Sequence, residues 1–359
     1  MITRTLGSSG IEVSGLGIGC WAIGGPDTNL GLPMGWGPVD ESAAIAGLER
    51  AWESGVTLFD TADVYGHGRS ERLLGQLVPL VQRERIQLVS KVGYFAGTAA
   101  HGYDPGHMRR QLEQTLDNLN TDWLDVYFFH HSEFGPDDER LELAIEMMNN
   151  FRTEGLIRAI GMRGPHRYAP DRLSTGPKAN KEARFRELFD RIRPQVLAVR
   201  DNLLTPQTRS NSIFTFAEDH GCGVLINKPL SQGLLTGAYT TAEPRTFGPQ
   251  DHRARKRWFT GDAVRVIEAG LDQVRALVGP ESNDLVRIAL WSCLMRSDNA
   301  AVLVGFSDPQ QVQANIDCLG ERPGDEILEQ VRAIMADVQK QLDADGEVFV
   351  DEVSTGEQQ

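Results

Sequence analysis

Short apolar runs rich in β-branched residues alternate with longer amphipathic stretches along most of the chain, from about Ser14 to Gly305. Apolar runs of about 4–8 residues bounded by turn-forming residues are typical of buried strands. Such runs predict the strands Leu16–Gly19, Thr57–Asp60, Ile86–Lys91, Val126–His130, Ile157–Gly161, Val196–Val199, Val224–Asn227 and Ala301–Gly305.

Apolar residues at helical spacing occupy the stretches that follow these strands. They predict helices over Glu41–Glu53, Glu71–Val81, Pro105–Leu119, Leu141–Glu154, Phe185–Arg191, Thr208–His220, Asp284–Met295 and Pro309–Leu319. Eight strands, each followed by a helix, predict a (β/α)8 TIM barrel of the α/β class. The segment RTLGSSGIEV, residues 4–13, predicts an N-terminal β-hairpin with a Gly-Ser turn.

An open doubly wound sheet is the competing architecture. Its support is GLGIGCWA, where Gly17, Gly19 and Ala22 fit the Gly-x-Gly-x-x-Ala fingerprint of dinucleotide-binding sheets. The residues that follow, IGGPDTNLGLPMGWGP, are interrupted by Gly and Pro. They cannot form the helix whose N-terminus would hold a pyrophosphate, and we therefore favour the barrel.

The composition is that of an ordinary globular protein. The chain has 359 residues, of which 40% are hydrophobic and 24% are charged, and its net charge is −14. This acidity argues against sequence-independent binding of nucleic acid, which requires a positive surface. Residues 1–340 are expected to form one barrel domain, and the acidic segment 341–359 is expected to be a mobile tail.

Targeting and redox signals favour a cytoplasmic protein that does not bind membranes. The N-terminus, MITRTLGSSGIEVSGLG, has no apolar signal core, and the chain has no run of 18 apolar residues. Cys20, Cys222, Cys293 and Cys318 lie far apart and lack the spacing of metal ligands. We expect them to be buried thiols in a reducing compartment. The oligomeric state stays open.

The stretch FDTADVYGHGRSERLLG, residues 59–75, places carboxylates and a tyrosine directly after a predicted strand. It also reads as a helix start capped by Ser70. Asp60, Lys91 and His130 lie at the C-terminal ends of the second, third and fourth predicted strands, and Tyr65 lies in the loop after the second. Because barrel enzymes assemble their active sites from these ends, we expect the four side chains to converge.

These four side chains suit proton transfer to a carbonyl oxygen. A tyrosine with the ordinary pKa of about 10 is a poor acid near neutrality, and a neighbouring lysine ammonium is expected to lower that pKa. A carboxylate would hold the lysine charged, and a neutral histidine would orient the carbonyl. Since none of them supplies a hydride, a nicotinamide cofactor, NADP(H) or NAD(H), is required. Metal hydrolysis by Asp60, His130 and His131 lacks the necessary ligand spacing.

The sequence resembles the aldo-keto reductase superfamily over most of its length. The matching stretches are LGSSGIEVSGLGIGCW, GVTLFDTADVYGHGRSERLLG, LVSKVG, LDVYFFHH, GLIRAIG, NKPLSQGLLTG and VLVGFSDPQQVQANI. The resemblance implies a catalytic tetrad of Asp60, Tyr65, Lys91 and His130, with Tyr65 as the general acid. It also implies cofactor contacts at Cys20, Trp21, Asp60, Arg163, Asn202, Lys228, Pro229, Leu230, Gly233, Leu235, Gly305, Ser307, Gln311 and Asn315.

The expected nicotinamide contacts depart from the family pattern. After the fifth strand, where the family usually has Gly-x-Ser-Asn, this chain has GMRG, so that Arg163 and Gly164 replace Ser and Asn. On the sixth strand Ala198 and Asp201 take the places of a Gln and a Tyr. With a one-residue slip in the alignment, Arg200 takes the Gln position instead.

The adenosine segment GFSDPQQVQAN keeps the family's serine but places Asp308 beside it, where NADPH-preferring members often carry a basic residue. A carboxylate there would repel a 2′-phosphate, or it would simply favour the start of a helix. Two basic stretches are candidate covers for the site. Residues 163–194 form either a lid or a solvated loop, and residues 251–258 are placed to cover the cofactor phosphates.

The leading hypothesis is an enzyme that interconverts a carbonyl and an alcohol on a small polar molecule, such as a sugar or a natural-product intermediate. The altered nicotinamide contacts also suit a redox-neutral epimerase or lyase with a tightly held cofactor. A non-catalytic nucleotide-binding barrel is the third alternative.

Overall fold

The computed structural model describes residues 1–29, 31–165, 180–205 and 207–345. In chain order its strands are β1 (Thr3–Thr5), β2 (Glu12–Ser14), β3 (Leu16–Gly19), β4 (Thr28–Asn29), β5 (Leu32–Pro33), β6 (Leu58–Asp60), β7 (Gln87–Val92), β8 (Leu124–Phe129), β9 (Ile157–Arg163), β10 (Val196–Arg200), β11 (Gly223–Asn227) and β12 (Ala300–Gly305). Strands β3 and β6 to β12 form one closed parallel barrel, in the order β10-β11-β12-β3-β6-β7-β8-β9. The predicted (β/α)8 barrel is confirmed.

Helices surround the barrel. Within the described residues they are α1 (Glu41–Glu53), α2 (Arg69–Leu77), α3 (Pro105–Leu119), α4 (Leu141–Thr153), α5 (Lys181–Ile192), α6 (Gln207–Asp219), α7 (Gly261–Val278), α8 (Ser282–Leu294), α9 (Pro309–Asp317) and α10 (Asp325–Ala344). Every predicted helix is present, with ends displaced by at most four residues. Helices α7 and α10 are additions to the prediction.

Helices α7 and α10 pack against each other and share one apolar cluster with α8. Gly270 of α7 allows the close approach, because a Cβ atom at this position would lie 2.3 Å from Cγ2 of Val338. The alternation of strands and helices does not predict this pair, since it lies outside the β/α repeat. Helix α10 continues to Ala344, and its Leu342 is buried. Most of the predicted tail, residues 346–359, lies outside the described residues.

The predicted N-terminal β-hairpin is present, and it closes the lower end of the barrel. Strands β1 and β2 pair antiparallel, and Leu6, Ile11 and Val13 join the buried cluster inside the barrel. The Gly7–Cys222 bridge ties the hairpin turn to the chain just before β11. Inward-facing strand residues fill the interior above this plug. The open end is therefore the C-terminal end of the strands, where barrel enzymes have their active sites.

One further property agrees with the sequence. All four cysteines are buried and free. Among the helices described, none combines the length and the apolar character required to cross a bilayer.

Candidate active site

The tetrad side chains meet at the C-terminal end of the barrel. Asp60 ends β6, Lys91 lies one residue before the end of β7, and His130 directly follows β8. Lys91 Nζ lies 2.8 Å from Asp60 Oδ1 and 4.9 Å from the ring centre of Tyr65. The rings of Tyr65 and His130 meet edge to face, with centroids 5.9 Å apart. The structure therefore brings the four residues together, and their catalytic roles stay predictions.

Buried polar contacts fix the loop that carries Tyr65. Ser70, in the first turn of α2, donates its hydroxyl to the carbonyl oxygen of Cys20 at 2.8 Å. Cys20 in turn donates its backbone N–H to the carbonyl oxygen of Asp60 at 2.8 Å. Helix α2 begins after Gly68, which adopts a left-handed φ of 81°. The prediction of Ser70 as the helix cap is therefore wrong, because its hydroxyl ties the loop to the end of β3.

Burial dominates the electrostatics of the tetrad. It raises the pKa of the Asp60 carboxyl, although the neighbouring Lys91 ammonium acts in the opposite direction. Burial by itself would lower the pKa of Lys91, but Asp60 and Tyr65 raise it, and the net shift is upward. Burial, reinforced by nearby cations, lowers the pKa of His130 well below its usual value. Lys91 is therefore charged and His130 neutral at neutral pH.

The pKa of Tyr65 differs from the expectation that Lys91 lowers it. Desolvation of the phenol raises this pKa above its ordinary value. Lys91 does act to lower it, but the charge of Lys91 is shared with Asp60, which acts to raise it. Because burial penalises the phenolate more than the ammonium stabilises it, Tyr65 keeps its proton at neutral pH.

A cavity of about 610 Å³ opens at the tetrad. All four tetrad side chains line it, together with most of the residues that the sequence assigns to the cofactor. Those lining residues are Trp21, Asp60, Arg163, Lys228, Pro229, Leu230, Gly233, Gly305, Ser307, Gln311 and Asn315. The cavity thus runs from the tetrad along the ends of β11 and β12 to the start of α9.

Three predicted cofactor residues are not among those that line the cavity in the described part of the chain. Cys20 is fully buried and connects β3 to Asp60 through its backbone. Leu235 belongs to the apolar cluster of α7 and α10. Asn202 lies behind the lining residue Lys228, and its Nδ2 donates a hydrogen bond to the carbonyl oxygen of Lys228 at 3.0 Å. Cys20 and Asn202 thus contact site residues through hydrogen bonds, and Leu235 is part of the apolar packing.

The segment after β11, which carries several of the predicted cofactor contacts, has a strained backbone. Lys228, Ser231 and Gln232 adopt φ values of 60°, 47° and 60°, in the left-handed region that costs non-glycine residues about 1–2 kcal/mol each. Strain of this kind clusters at functional sites. The contact from Asn202 helps to hold Lys228 in this conformation. The lysine ammonium lies 5.0 Å from the ring centre of Trp21.

Buried polar atoms in the cavity wall fit a nicotinamide dinucleotide. Asn227 Oδ1, Gln232 Nε2 and Asn315 Nδ2 are buried and have no hydrogen-bond partner among the described residues. Buried polar groups in native proteins are normally paired, so unpaired ones along a cavity indicate a ligand. Gly305 leaves its backbone open at the same wall. These residues would hold the cofactor predicted from the sequence.

Asp308 caps a helix at the adenosine end of the cavity. Its carboxylate accepts hydrogen bonds from the backbone N–H of Gln311 at 2.7 Å and from the hydroxyl of Ser307 at 2.9 Å. The side-chain oxygen of Gln311 also accepts a hydrogen bond from the backbone N–H of Ser307 at 2.8 Å. The helix-start interpretation is therefore confirmed, and the carboxylate still lies beside the predicted ribose site.

The wall formed by β9 and β10 is cationic. Arg163, Ala198 and Arg200 line the cavity, the last two because alternate residues of β10 face the same side. Asp201 does not line it, although the alignment placed it at a stacking position. It is buried and pairs with Arg296 Nε at 3.0 Å. Both positions considered for the Gln of the family pattern, Ala198 and Arg200, therefore line the cavity, and the choice between them stays open.

The sequence did not single out several side chains that line the cavity. Tyr94 follows β7 and meets His130 with ring centroids 4.6 Å apart, and Trp36 meets Trp21 at 5.4 Å. Asn283, in the first turn of α8, also faces the cavity. Their position just beyond a strand end or at a helix start was the available signal.

The second basic stretch reaches the cavity through His252 and Arg253. Arg253 Nη2 pairs with Asp251 at 2.6 Å, and its guanidinium lies 4.3 Å from the ring centre of Trp36. The Gly35–Asp251 bridge joins this segment to the chain after β5. Of the first basic stretch, residues 166–179 lie outside the described part of the chain.

Comparison with known proteins supports the same interpretation. A model of the Aldo/keto reductase family matches residues 15–335. The chain belongs to this family. It is accordingly an NAD(P)-dependent oxidoreductase, and NADP(H) or NAD(H) is its cofactor.

Curated relatives and solved structures match the aldo-keto reductase along nearly its full length. The NADH-specific methylglyoxal reductase of Escherichia coli (strain K12) is 27% identical over 327 residues, covering 88% of this chain and 92% of the relative. L-galactose dehydrogenase of Arabidopsis thaliana is 25% identical, covering 93% and 94%. The glycerol dehydrogenase AKR11B4 from Gluconobacter oxydans shares the fold with a TM-score of 0.71 at 22% identity, covering 98% and 99%.

Proposed function

We propose that this aldo-keto reductase interconverts a carbonyl and an alcohol on a small polar molecule, with Tyr65 as the general acid of reduction. One observation carries the proposal. The Lys91 ammonium, held 2.8 Å from Asp60, lies against the Tyr65 ring at the mouth of the cavity that His130 also lines. This is the arrangement that a positioned acid requires.

Each member of the tetrad has a separate task in this mechanism. Tyr65 keeps its proton until a carbonyl oxygen begins to carry negative charge, and then donates it. Lys91 stabilises the phenolate that remains, and Asp60 holds Lys91 in place. Neutral His130 orients the carbonyl oxygen. A bound nicotinamide would supply the hydride in reduction or accept it in oxidation.

The walls of the cavity favour a small substrate with hydroxyl groups, such as a sugar or a natural-product intermediate. Trp21, Trp36 and Tyr94 form an aromatic wall beside the tetrad, and amphipathic rings suit the alternating apolar and polar faces of such molecules. The named activities of two relatives, on methylglyoxal and on L-galactose, support the same size class.

The adenosine end favours use of NAD(H) at least as readily as NADP(H). The carboxylate of Asp308 stands beside Ser307 and would repel a 2′-phosphate. In the described part of the chain, the segment from Gly305 to Asn315 offers no arginine or lysine to oppose this repulsion. One relative is named as NADH-specific, which agrees with the proposal.

The test compares Tyr65→Phe with Tyr94→Phe. We expect the Tyr65 variant to lower turnover by at least about a hundredfold, the scale of losing a positioned acid. Removing the hydroxyl of Tyr94, a second tyrosine that packs on His130, should have a much smaller effect. Turnover is followed at the absorbance of reduced nicotinamide on a panel of small aldehydes and sugars. Cofactor affinity, from quenching of protein fluorescence, should not change in either variant.

Two outcomes would contradict the proposal. Near-normal turnover by Tyr65→Phe would remove the tyrosine from the proton-transfer step. Product formation without a matching change in nicotinamide absorbance would show redox-neutral turnover of the epimerase or lyase type.

A further inference from the structure

The lining of the cavity is apolar on one side of the tetrad. Val64 directly precedes Tyr65, and the Tyr94 ring lies 4.6 Å from that of His130, centroid to centroid. With Ala62, these two residues form a buried cluster of their own, in which each side chain is at most 4% exposed. Val64 and Tyr94 both line the cavity. A substrate whose carbonyl oxygen reaches Tyr65 therefore has this cluster beside its carbonyl carbon.

Met34 completes this apolar wall of Val64, Tyr94 and Met34. It packs against the cluster and also lines the cavity. The indole N–H of Trp21 donates to the carbonyl oxygen of Met34 at 2.9 Å, and the Trp21 ring stacks on Tyr65 with centroids 6.1 Å apart. The backbone N–H of Met34 donates to the carbonyl oxygen of Asp27 at 3.0 Å. These contacts fix the backbone of Met34 on two sides.

The segment that carries this methionine is anchored to the two loops beside the tetrad. Nε2 of His67, in the loop after β6, lies 2.9 Å from Oδ1 of the buried Asp27. Nδ2 of Asn29 donates a hydrogen bond to the carbonyl oxygen of Tyr94, in the loop after β7, at 3.1 Å. A larger ligand could displace the wall only by breaking such contacts, and close-packed protein interiors resist that.

The opposite side of the mouth is polar. In the closed order β10-β11-β12-β3-β6-β7-β8-β9, strands β6 and β10 lie four places apart in either direction. Arg200 of β10 lines the cavity on that side, and the neighbouring β9 contributes Arg163. The two substituents of a carbonyl carbon held between these sides therefore meet different surroundings. A hydroxyl-bearing substituent that faced the apolar wall would lose its hydrogen bonds to water.

We propose that the apolar wall receives the smaller substituent of the reacting carbonyl carbon and limits it to hydrogen or methyl. The substrates are then aldehydes and methyl ketones, with the hydroxyl-bearing remainder of the molecule on the polar side. This inference rests on the proposed carbonyl–alcohol interconversion. The wall excludes a hydroxyl-bearing group because it is apolar. It yields little to a longer group because its residues pack on one another.

The experiment uses four compounds that share one hydroxymethyl group and differ in the second substituent of the carbonyl carbon. They are glycolaldehyde with hydrogen, hydroxyacetone with methyl, 1-hydroxy-2-butanone with ethyl and dihydroxyacetone with a second hydroxymethyl group. In the unmodified enzyme kcat/KM should fall by about tenfold or more from methyl to ethyl, the effect of one methylene in a packed pocket. The fall from methyl to hydroxymethyl should also be about tenfold.

Met34 is the member of the wall to change, since Val64 adjoins Tyr65 in the chain and Tyr94 packs on His130. Met34→Ala should raise the ethyl-to-methyl ratio of kcat/KM by about tenfold. Met34→Leu keeps the side-chain volume and should leave this ratio within about threefold of the original value.

The matched control is Val286→Ala, which truncates another apolar side chain that lines the same cavity from α8. Because Val286 lies outside the apolar wall, the ethyl-to-methyl ratio should again stay within about threefold of the original value.

A second measurement does not depend on turnover. Acetamide and propionamide present a carbonyl group with methyl or ethyl but accept no hydride, and each is titrated against the protein with NADH by fluorescence quenching. Met34→Ala should lower the Kd of propionamide relative to that of acetamide by about tenfold. Tyr65→Phe should leave the ratio of the two Kd values unchanged. Failure of the Tyr65 test would therefore refute the proposed chemistry and leave this result intact.

Three outcomes would overturn the inference. Equal kcat/KM values for hydroxyacetone and 1-hydroxy-2-butanone in the unmodified enzyme would show that methyl is not the limit. An ethyl-to-methyl ratio that Met34→Ala and Val286→Ala change equally would remove Met34 from the selection of substrate. A rise in the Kd of NADH for Met34→Ala, with unchanged substrate ratios, would make Met34 a cofactor contact.

Discussion

The two sides of the barrel mouth differ in how closely they follow the family pattern. On the side of β6, β7 and β8, the tetrad occupies the expected strand ends and the expected loop. On the side of β9 and β10, Arg163, Ala198 and Arg200 face the cavity, where the resemblance implies polar, uncharged side chains. The first side is buried and internally paired, and the second is cationic.

The difference teaches which part of the site is constrained. Under the proposed mechanism the first side moves a proton, and the distances among its groups must hold within about half an ångström. The second side holds a flat ring and a substrate, which several sets of side chains can do. Because each strand end contributes separately to the mouth, one side can change while the other keeps its geometry.

The largest expected effect comes from breaking the paired side. Lys91→Met should lower kcat by at least about a hundredfold. It should also lower the free energy of unfolding, by up to about 3–5 kcal/mol, because Asp60 is left buried without its partner. Turnover assays and urea unfolding measure the two effects. The double variant Lys91→Met/Asp60→Asn should recover stability but not turnover. If Lys91→Met alone were as stable as the original enzyme, the stabilising role given to the Lys91–Asp60 pair would be refuted.

A smaller effect is expected at the adenosine end. Asp308→Arg should shift selectivity toward NADPH by about tenfold to a hundredfold, because it replaces a repulsive charge with an attractive one. Asp308→Ser is the matched control, since a serine hydroxyl can still cap the helix at Gln311. Titration of both cofactors by fluorescence quenching gives the ratio. A preference of the unmodified enzyme for NADPH above about a hundredfold, some 2.7 kcal/mol, would contradict the role given to Asp308.

The smallest effect is expected from removing the hydrogen bond by which Asn202 supports Lys228 in the cavity wall. Asn202→Asp keeps the acceptor for the N–H of Leu204 but loses the donor to the carbonyl oxygen of Lys228. We expect the cofactor Kd to rise by about twofold to tenfold, the range for one hydrogen bond. The kcat at saturating cofactor should stay the same. An unchanged Kd in both Asn202→Asp and Asn202→Ala would show that Lys228 holds its conformation without this contact.

The barrel and the tetrad were predictable from the sequence because each depends on local pattern. A buried strand is a short apolar run, and a strand-end residue is recognised by following that run. Asp60 and Lys91 therefore fall where the pattern places them. Helices α7 and α10 were not predicted. Their apolar faces belong to one cluster that includes no barrel-strand residue, so the strand–helix alternation does not reveal them.

The residues that line the cofactor end of the cavity were less predictable, because a residue in a matching motif can contribute through its backbone or through packing instead of through its side chain. Cys20 and Leu235 stand in matching motifs, but they are buried and act through backbone contacts or packing. Tyr94 carries no motif, and its proximity to His130 follows from how the loop after β7 folds back. Whether Asp201 or Arg200 faces the cavity depends on where β10 ends, which a single sequence does not define to one residue.

The N-terminal plug of Leu6, Ile11 and Val13 has a kinetic consequence. With the lower end of the barrel filled, cofactor and substrate approach the tetrad from the same open end. Two molecules that enter through the same cavity opening cannot pass each other inside the cavity. The one that lies deeper must arrive first and depart last, so the steady-state rate equation should be that of compulsory-order binding, and release of the deeper molecule should limit the cycle when chemistry is fast.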